Sequence, residues 1–275
     1  MALTNFIPTI WSETLANELD KKYIAVKNCN RDFEGDIKSK GNTVKINGVG
    51  DISVFDYTRN TDMSAPETLS DNERTLTIDQ AKAFNFQIDD VDRAQAVPHL
   101  MQAAMKKAAS ALANTADNYV FGLVNTCADE NVIDLGTATA ENVIDSILGV
   151  RTKLYRSNIY DADDVVFEVS PEIGELILKA KINLATGNRE ALEGGCIGNI
   201  CGTKIFVSNN VVRDGESHMC VARSKRSVAF AEQLSEIEAY RPEKRFADAV
   251  KGLHLYGAKI VFPEEYFVMK FNLAA

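Results

Sequence analysis

The chain has 275 residues and a formal net charge of −9, from 39 acidic and 30 basic side chains. Its 45% hydrophobic and 25% charged content is typical of a globular protein, and the length suffices for one or two domains with a substantial core. The acidic balance argues against tight nucleic-acid binding, and no apolar run approaches the roughly 20 residues of a membrane span. Five widely spaced cysteines do not form a disulfide framework, so we expect synthesis in a reducing cytoplasm.

The first predicted element is an amphipathic helix over about residues 9–23. Pro8 stands at its start, where the missing N–H would have no helical partner in any case. Apolar residues then recur at every fourth position and form one stripe on the helix: Trp11, Leu15, Leu19 and Tyr23. Such a stripe packs within the subunit or, as an arm, on a neighbour, and the sequence leaves both possibilities open.

Residues 35–88 predict one long hairpin. Val44 and Ile46 alternate with polar residues, which indicates a strand. In the returning strand, residues 74–88, alternate residues share one side of the strand, and five on the even-numbered side are apolar: Leu76, Ile78, Phe84, Phe86 and Ile88. A continuous strand of that length would reach roughly 50 Å, more than a compact domain covers, so we expect another copy of the chain to cover its apolar face. A set of short strands in a compact barrel is the alternative.

A long helix is predicted next, over about residues 98–125, because apolar residues there step by three or four. It would span about 42 Å, and its many alanines would allow close approach of other backbone. Helices and strands then alternate: a helix to about residue 155 capped by Thr139, a strand at 165–169, a helix capped by Ser170 with Pro171 at its first position, and strands at 205–207, 228–230 and 253–261.

The sequence predicts no catalytic residue and no cofactor-binding residue. It contains no phosphate-binding loop of the G-x-x-x-x-G-K-[ST] type, no G-x-S-x-G and no H-E-x-x-H. Gly48 and Gly50 lack the third glycine and the following helix of a dinucleotide loop, so they indicate a turn or bulge. Three isolated histidines are more typical of packed or surface residues than of acids and bases: His99, His218 and His254.

Four soft metal ligands fall within a short stretch: Cys196, Cys201, His218 and Cys220. They could in principle hold zinc, but the spacing is not that of a paired C-x-x-C site. Small buried thiols that fill a β-rich core explain them better, and we expect no metal site.

Three charged clusters have simpler explanations than a binding site. Asp161, Asp163 and Asp164 lack the glycine and the final acid of a calcium loop and indicate a turn. Adjacent carboxylates at 264 and 265 indicate a solvated turn. One dense basic cluster is short, although it could touch phosphate inside an assembly: Arg223, Lys225 and Arg226.

Several motifs, taken in order, resemble the major capsid proteins of tailed bacteriophages. They lie at the N terminus in Phe6-Ile7-Pro8 and Trp11-Ser12, and then in residues 30–37, 41–46, 195–202, 208–210 and 246–259. No single motif is diagnostic, but their order and spacing together are fairly specific. The resemblance runs nearly from end to end.

The resemblance implies an α+β fold with an N-terminal arm, an extended β-hairpin loop, a peripheral domain with a long spine helix, and an axial domain. The corresponding segments are 1–34 for the arm, 35–88 for the loop, 89–138 for the peripheral domain with its spine helix, 139–245 for the axial domain, and 246–275 for strands that return to the peripheral domain. It implies no enzymatic activity.

The implied function is self-assembly into the hexamers and pentamers of an icosahedral shell that encloses double-stranded DNA. Expected partners are other copies of the chain, a separate scaffolding protein, a portal, and packaged DNA as a non-specific neighbour, with no membrane. We expect assembly in the host bacterial cytoplasm, a place in the virion capsid, and no isopeptide cross-link.

Three other interpretations of the sequence remain open. An encapsulin-type nanocompartment shell would enclose an enzyme in place of DNA, and the long polar excursion at 35–73 favours the phage shell. A soluble α/β enzyme with an unrecognised site would be a stable monomer with a pocket of converging polar groups. A phage tail or decoration protein would form rings or trimers.

Overall fold

The computed structural model describes residues 8–32, 43–49, 71–89, 100–157, 164–180, 196–200, 202–244 and 246–273, and the single positions 56, 59 and 62. Four α-helices lie in this part of the chain: α1 (Pro8–Lys22), α2 (Leu100–Gly122), α3 (Val143–Arg156) and α4 (Pro171–Lys179). None of them is both long and apolar enough to cross a membrane.

Twelve β-strands lie in the same described part of the chain. They are β1 (Thr43–Val49), β2 (Asp71–Thr77), β3 (Gln80–Asp89), β4 (Val132–Ala138), β5 (Val165–Val169), β6 (Cys196–Ile200), β7 (Thr203–Val207), β8 (Val212–Asp214), β9 (Ser217–Ser224), β10 (Val228–Tyr240), β11 (Ala247–Ile260) and β12 (Tyr266–Leu273). The mixture of helices and sheets confirms the predicted α+β class.

The strands form three sheets. β1 and β2 make an antiparallel two-stranded ladder, and β10, β11 and β3 make an antiparallel three-stranded sheet in that order. The third sheet has seven strands, in the order β4-β12-β9-β5-β7-β6 with β8 paired to β9. Its two parallel pairs are β12 with β4 and β5 with β7.

The long helix is confirmed. α2 has 23 residues, which is about 35 Å, and a 3-10 turn follows at Leu123–Thr126. One face of α2 is buried in the main core by six small or apolar side chains: Met105, Ala109, Leu112, Ala113, Ala116 and Val120. The alanines let α1 and the three-stranded sheet approach this face closely.

The two predicted helix caps have different outcomes. Ser170 caps α4 as expected, since its Oγ accepts the Ile173 N–H at 3.4 Å and Pro171 fills the first helical position. Thr139 lies one turn ahead of α3, which begins at Val143. Its N–H donates to Asn142 Oδ1 at 2.8 Å and its Oγ accepts the Asn142 N–H at 3.4 Å, so Thr139 caps this turn and not the first residue of the helix.

The predicted continuous strand over 74–88 is interrupted. β2 ends at Thr77 and β3 begins at Gln80, so the chain leaves the two-stranded ladder and enters the three-stranded sheet at Ile78 and Asp79. Leu76 and Ile78 then face one apolar cluster, whereas the phenylalanines of β3 pack against the main core. Even-numbered apolar residues of 74–88 therefore pack into two different apolar clusters.

The expectation that a neighbouring copy covers this hairpin is wrong for its described base. Val44, Ile46, Leu76 and Ile78 are buried within the subunit. Their cover comes from four small or aliphatic side chains that follow or belong to the three-stranded sheet: Ala229, Ala231, Leu255 and Val261. The interruption at Ile78 is what folds the base of the hairpin back over the sheet. Most of residues 50–70 lie outside the described part of the chain.

The last two strands of the chain enter different sheets. β11 lies at the centre of the three-stranded sheet, whereas β12 fills the gap between β4 and β9 in the seven-stranded sheet. A 3-10 turn at Pro263–Glu265 redirects the chain between them. Val268, Met269 and Phe271 of β12 are fully buried, which explains why the strand belongs there.

At Gly257, the backbone at the end of β2 passes directly over β11, and the missing side chain leaves room for it. A Cβ at this position would meet the Thr77 carbonyl oxygen and would lie 3.1 Å from Ile78 Cα. We predict that Gly257→Ala lowers the free energy of unfolding by about 1–3 kcal/mol, because backbone must move to admit the methyl group.

Urea unfolding measures this effect, and Gly149→Ala is the matched control. Gly149 lies in α3, and the methyl group of an alanine there would meet nothing within 4 Å, so this substitution should stabilise by up to about 1 kcal/mol. Equal stability of Gly257→Ala and the parent chain would contradict the close approach.

Candidate assembly surfaces and the arm junction

The N-terminal arm turns into the body of the protein directly after α1, over residues 23–30. Asp117 of α2 holds this turn from one side. Its Oδ2 accepts the Ile24 N–H, and its Oδ1 accepts the N–H groups of Ala25 and Val26, each at 3.0 Å. Burial raises the pKa of Asp117 to about 6, although the three N–H donors act in the opposite direction. The carboxylate thus satisfies three backbone donors that no helix or strand pairs.

Arg223 of β9 holds the same turn from the other side. Its guanidinium pairs with Glu168 of β5 through two hydrogen bonds of 3.0 and 2.9 Å, and both side chains are about 1% exposed. It also donates to the carbonyl oxygens of Ala25 and Asn28 at 2.9 Å each. A guanidinium is suited to this position because its planar fork can serve a carboxylate and two carbonyls together.

A third contact fixes the arm to the three-stranded sheet. Glu232 of β10 accepts hydrogen bonds from Tyr23 Oη and from Arg31 Nη2, the latter at 2.6 Å, and lies 2.8 Å from His254 Nε2. Burial alone would raise the pKa of Glu232, but the hydrogen bonds from His254 and Tyr23 hold it below its usual range. Asn30 adds a backbone bridge to Ala229.

These contacts decide between the two roles open for the arm helix. Leu15, Leu19 and Tyr23 are buried in the main core of their own subunit. The described C-terminal part of α1 is therefore packed intramolecularly. The side chain of Trp11 lies outside the described residues.

We predict that Arg223→Met loosens the arm junction and lowers the free energy of unfolding by about 3–5 kcal/mol, because Glu168 is left as an unpaired buried charge. Urea unfolding measures the loss, and trypsin should cleave faster after Lys22 and Lys27.

The double variant Arg223→Met/Glu168→Met is the control for charge. It leaves no buried charge at this position, so it should recover part of the lost stability. A double variant no more stable than the single one would show that the pair itself is not what holds the turn.

An exposed, partly apolar surface lies on the other side of the three-stranded sheet. We call it the outer sheet surface and define it by Ala83, Asn85, Tyr240 and Leu253; the exposed Phe246 directly precedes β11. Asn85 and Tyr240 are hydrogen-bonded across the sheet at 3.0 Å, while Leu253 is 37% exposed and Phe246 81% exposed. A phenylalanine with that exposure costs solvation free energy in an isolated subunit, which is typical of a contact surface.

The four candidate metal ligands are only partly described. Cys201 and the side chain of Cys196 lie outside the described residues. His218 Nδ1 lies 2.8 Å from Ser170 Oγ and 3.6 Å from Glu172 Oε2, and burial raises the pKa of Cys220 to about 12. Within the described ranges, His, Cys, Asp and Glu side chains form no group of three that could hold a metal ion.

The basic cluster at 223–226, which the sequence suggests could touch phosphate, is paired with groups of its own chain. Arg223 is buried, Lys225 pairs with Asp164 at 3.3 Å, and Arg226 pairs with Glu265. Acids of the same chain therefore neutralise the cluster. Glu265 is also 3% exposed, so this carboxylate is not in the solvated turn that its position beside Glu264 predicts.

The remaining candidates are placed as follows. Gly48 lies within β1, paired with Asn72, and not in a turn. His254 is buried beside Glu232, as a packed histidine would be. His99, Asp161 and Asp163 lie outside the described residues.

Sequence reasoning missed Asp117, Glu168 and Glu232, which make the arm junction. No motif marks them. The available signal is an acid inside an otherwise apolar run, as in the strand Val165–Val169, where Glu168 is the only polar residue. A carboxylate in such a place needs a buried partner, but the sequence does not identify which cation supplies it.

We predict a pH effect from His218. Burial lowers its pKa below the ordinary 6.5, more than Glu172 raises it, so the unfolded chain takes up a proton that the folded protein resists. The stability due to neutral His218 is therefore present above about pH 6.5 and is lost as the pH falls below it.

The measurement is urea unfolding of the parent chain and His218→Gln at pH 7.5 and pH 5.5. Glutamine keeps a polar partner for Ser170 Oγ but does not titrate, so the stability advantage of the parent chain should shrink at the lower pH. Parallel losses in both proteins would assign the pH dependence to other groups.

Comparison with known proteins identifies the fold. No protein-family model matches the chain, and no curated protein matches it. A solved structure from Mycobacterium phage Che8 is 30% identical, with a TM-score of 0.66 and 90% of both chains covered. The capsid of Ralstonia phage GP4 matches with a TM-score of 0.68 at 11% identity, covering 90% of this chain and 87% of that one.

A virus-like particle from Pyrococcus furiosus also matches, with a TM-score of 0.58, 12% identity and coverage of 95% of this chain and 98% of the other. At such low identities the last two likenesses show the fold alone. The fold is therefore that of proteins that build viral shells. The identity and coverage of the Che8 match go further, and the chain belongs to the major capsid proteins of tailed bacteriophages. Its role is structural, in the capsid shell of a virion.

Proposed function

We propose that this capsid protein forms the hexamers and pentamers of an icosahedral shell that encloses double-stranded DNA. The observation that supports this most is the 30% identity over 90% of both chains with a protein of Mycobacterium phage Che8. We assign the arm to 1–34, the extended loop to 35–88, the peripheral domain to 89–138 with α2 as its spine, the axial domain to 139–245, and the returning strands to 246–275.

Membership of the family supports a proposal about the partners. We propose that a separate scaffolding protein and a portal take part in assembly, which occurs in the cytoplasm of the bacterial host. The chain itself has no catalytic task in this proposal and needs no isopeptide cross-link.

The outer sheet surface supports assembly through physical reasoning. Its exposed apolar side chains would be covered by contact with another molecule, and repeated weak contacts reinforce one another in a closed shell. Head-to-tail contacts that close into rings require two different surfaces on one chain, and the outer sheet surface is one that we assign to them.

A nanocompartment shell that encloses an enzyme is the second candidate. The near-complete mutual coverage with the virus-like particle from Pyrococcus furiosus favours it, although 12% identity supports the fold only. Electron microscopy of particles from a phage-infected culture, with analysis of nuclease-protected DNA and of internal protein, separates the two. An enzyme cargo with no DNA would overturn the phage-shell proposal.

We predict that Phe246→Asp/Leu253→Asp blocks particle formation but leaves the subunit folded. Both side chains are exposed in the subunit, so a surface substitution there should change stability by less than about 0.5 kcal/mol. Two carboxylates buried in an apolar contact would be strongly unfavourable.

Sedimentation and negative-stain imaging report assembly, and thermal unfolding reports the fold. Phe246→Leu/Leu253→Met is the control, because it keeps the apolar character and should assemble. Normal particles from the aspartate variant would remove the outer sheet surface from the contacts between subunits.

A further inference from the structure

We propose that a groove between α1 and α2 contacts the phosphate backbone of the enclosed DNA. The groove has a volume of about 400 Å³, and the residues that matter here are Lys22, Lys107, Ser110, Asn114, Asp117 and Asn210. This inference rests on the proposed DNA-enclosing shell and adds the surface by which the shell meets its contents.

The chemistry of the groove favours an anion. Two ammonium groups, a hydroxyl and two side-chain amides are the groups that bind phosphate oxygens without reading sequence. The one acid in the lining is Asp117, which is 2% exposed and directs its oxygens at the N–H groups of Ile24, Ala25 and Val26. Its charge is thus engaged inside the protein.

The solvent-facing stripe of α2 continues this cationic surface. Seven positions at helical spacing are exposed along it: Ala103, Lys106, Lys107, Ser110, Ala111, Asn114 and Asn118. The stripe contains two lysines and no acid, in a chain whose net charge is −9. Such a local excess of positive charge stands out against the acidic whole.

The lysines of this surface are not held by acids of the same chain. Over the described residues, no ion pair involves Lys22, Lys106 or Lys107, whereas Lys179 pairs with Glu175 and Lys225 with Asp164. An ammonium group without an acidic partner breaks no ion pair when it binds a phosphate. The free energy of the new contact is therefore not reduced by the loss of an old one.

A double helix fits this surface better than an acidic protein segment does. Protein partners need apolar anchors that fill pockets, and the large apolar side chain in the lining is the half-buried Ile24. The small side chains of Ala103, Ser110 and Ala111 leave a shallow strip that a smooth phosphate backbone can follow.

The groove lies on the opposite side of the three-stranded sheet from the outer sheet surface. α1 and α2 cover one face of the three-stranded sheet, where Tyr256 stacks edge-on with Tyr119 of α2. Leu253 of β11 differs in parity from Tyr256 and points to the opposite face, on the outer sheet surface. The cationic groove and the outer sheet surface therefore lie on opposite faces, and the cationic face is the one that suits the DNA.

The test is binding of the purified full chain to a mixed-sequence duplex of about 30 base pairs, followed by fluorescence anisotropy across a range of salt concentrations. Each phosphate contact adds about 0.9 to the slope of log affinity against log salt concentration. Lys22→Gln/Lys107→Gln should therefore make the slope shallower by about 2. Between about 50 and 200 mM salt, the affinity of this variant should then fall roughly tenfold less than that of the parent chain.

The control is Lys153→Gln/Lys204→Gln, which removes the same charge from exposed lysines outside the groove. It should keep the parent slope. Acetylation of lysines with and without the duplex gives a second readout, in which the duplex protects Lys22 and Lys107 but not Lys153.

Three outcomes would overturn the inference. The first is no binding of DNA by the parent chain, and the second is equal slopes for the groove variant and the control. The third is a groove variant that, in the same assay with poly-glutamate as the probe, loses its binding of poly-glutamate but keeps its binding of DNA. The last would assign the groove to an acidic protein. Particle formation by the same samples, imaged in parallel, tests the proposed shell separately. Particles with unchanged DNA slopes would defeat this inference and leave the shell standing.

Discussion

The buried pair of Arg223 and Glu168 is the interaction on which the rest of the subunit depends. The pair joins β9 and β5 in the centre of the seven-stranded sheet and also binds two carbonyls of the turn that follows α1. Asp117 of the spine helix α2 completes the turn from the other side. One turn of the backbone thus connects the arm, the long helix and the larger sheet.

This construction holds the start of the arm and the base of the hairpin in a defined place. A shell subunit presents arms and loops to its neighbours, so the base of each projection must be rigid in the subunit itself. The base of the arm is held by buried charges, and the base of the hairpin is held by the aliphatic cluster around Ile78 and Leu255. Both bases leave outward surfaces for contacts with other molecules.

Charge is distributed unevenly over the subunit in a way that composition hides. The net charge of −9 suggests a surface that avoids DNA, and the dense basic cluster at 223–226 is neutralised by acids of the same chain. The lysines near the α1–α2 groove belong to separate segments and come together only in the fold. A protein can thus be acidic overall and still meet a polyanion through one small face.

The sequence by itself determined the helices, the α+β class and the family resemblance, because helical periodicity, caps such as Ser170 and the order of short motifs are local properties. Parity in 74–88 correctly indicated strands. It could not show that the chain changes sheets at Ile78, because alternation carries no information about which face a partner covers.

Only the tertiary structure decided which charges meet. Glu168 pairs with Arg223, 55 positions away, and the same guanidinium donates to the carbonyl oxygen of Asn28, 195 positions away. A buried charge without a partner is unfavourable in the low dielectric of the interior, so each one needs a partner. The local sequence pattern does not show which residue that partner is. The same reason separates β11 from β12: both are apolar strands by pattern, and the gap between β4 and β9 that β12 fills exists only once the sheet has formed.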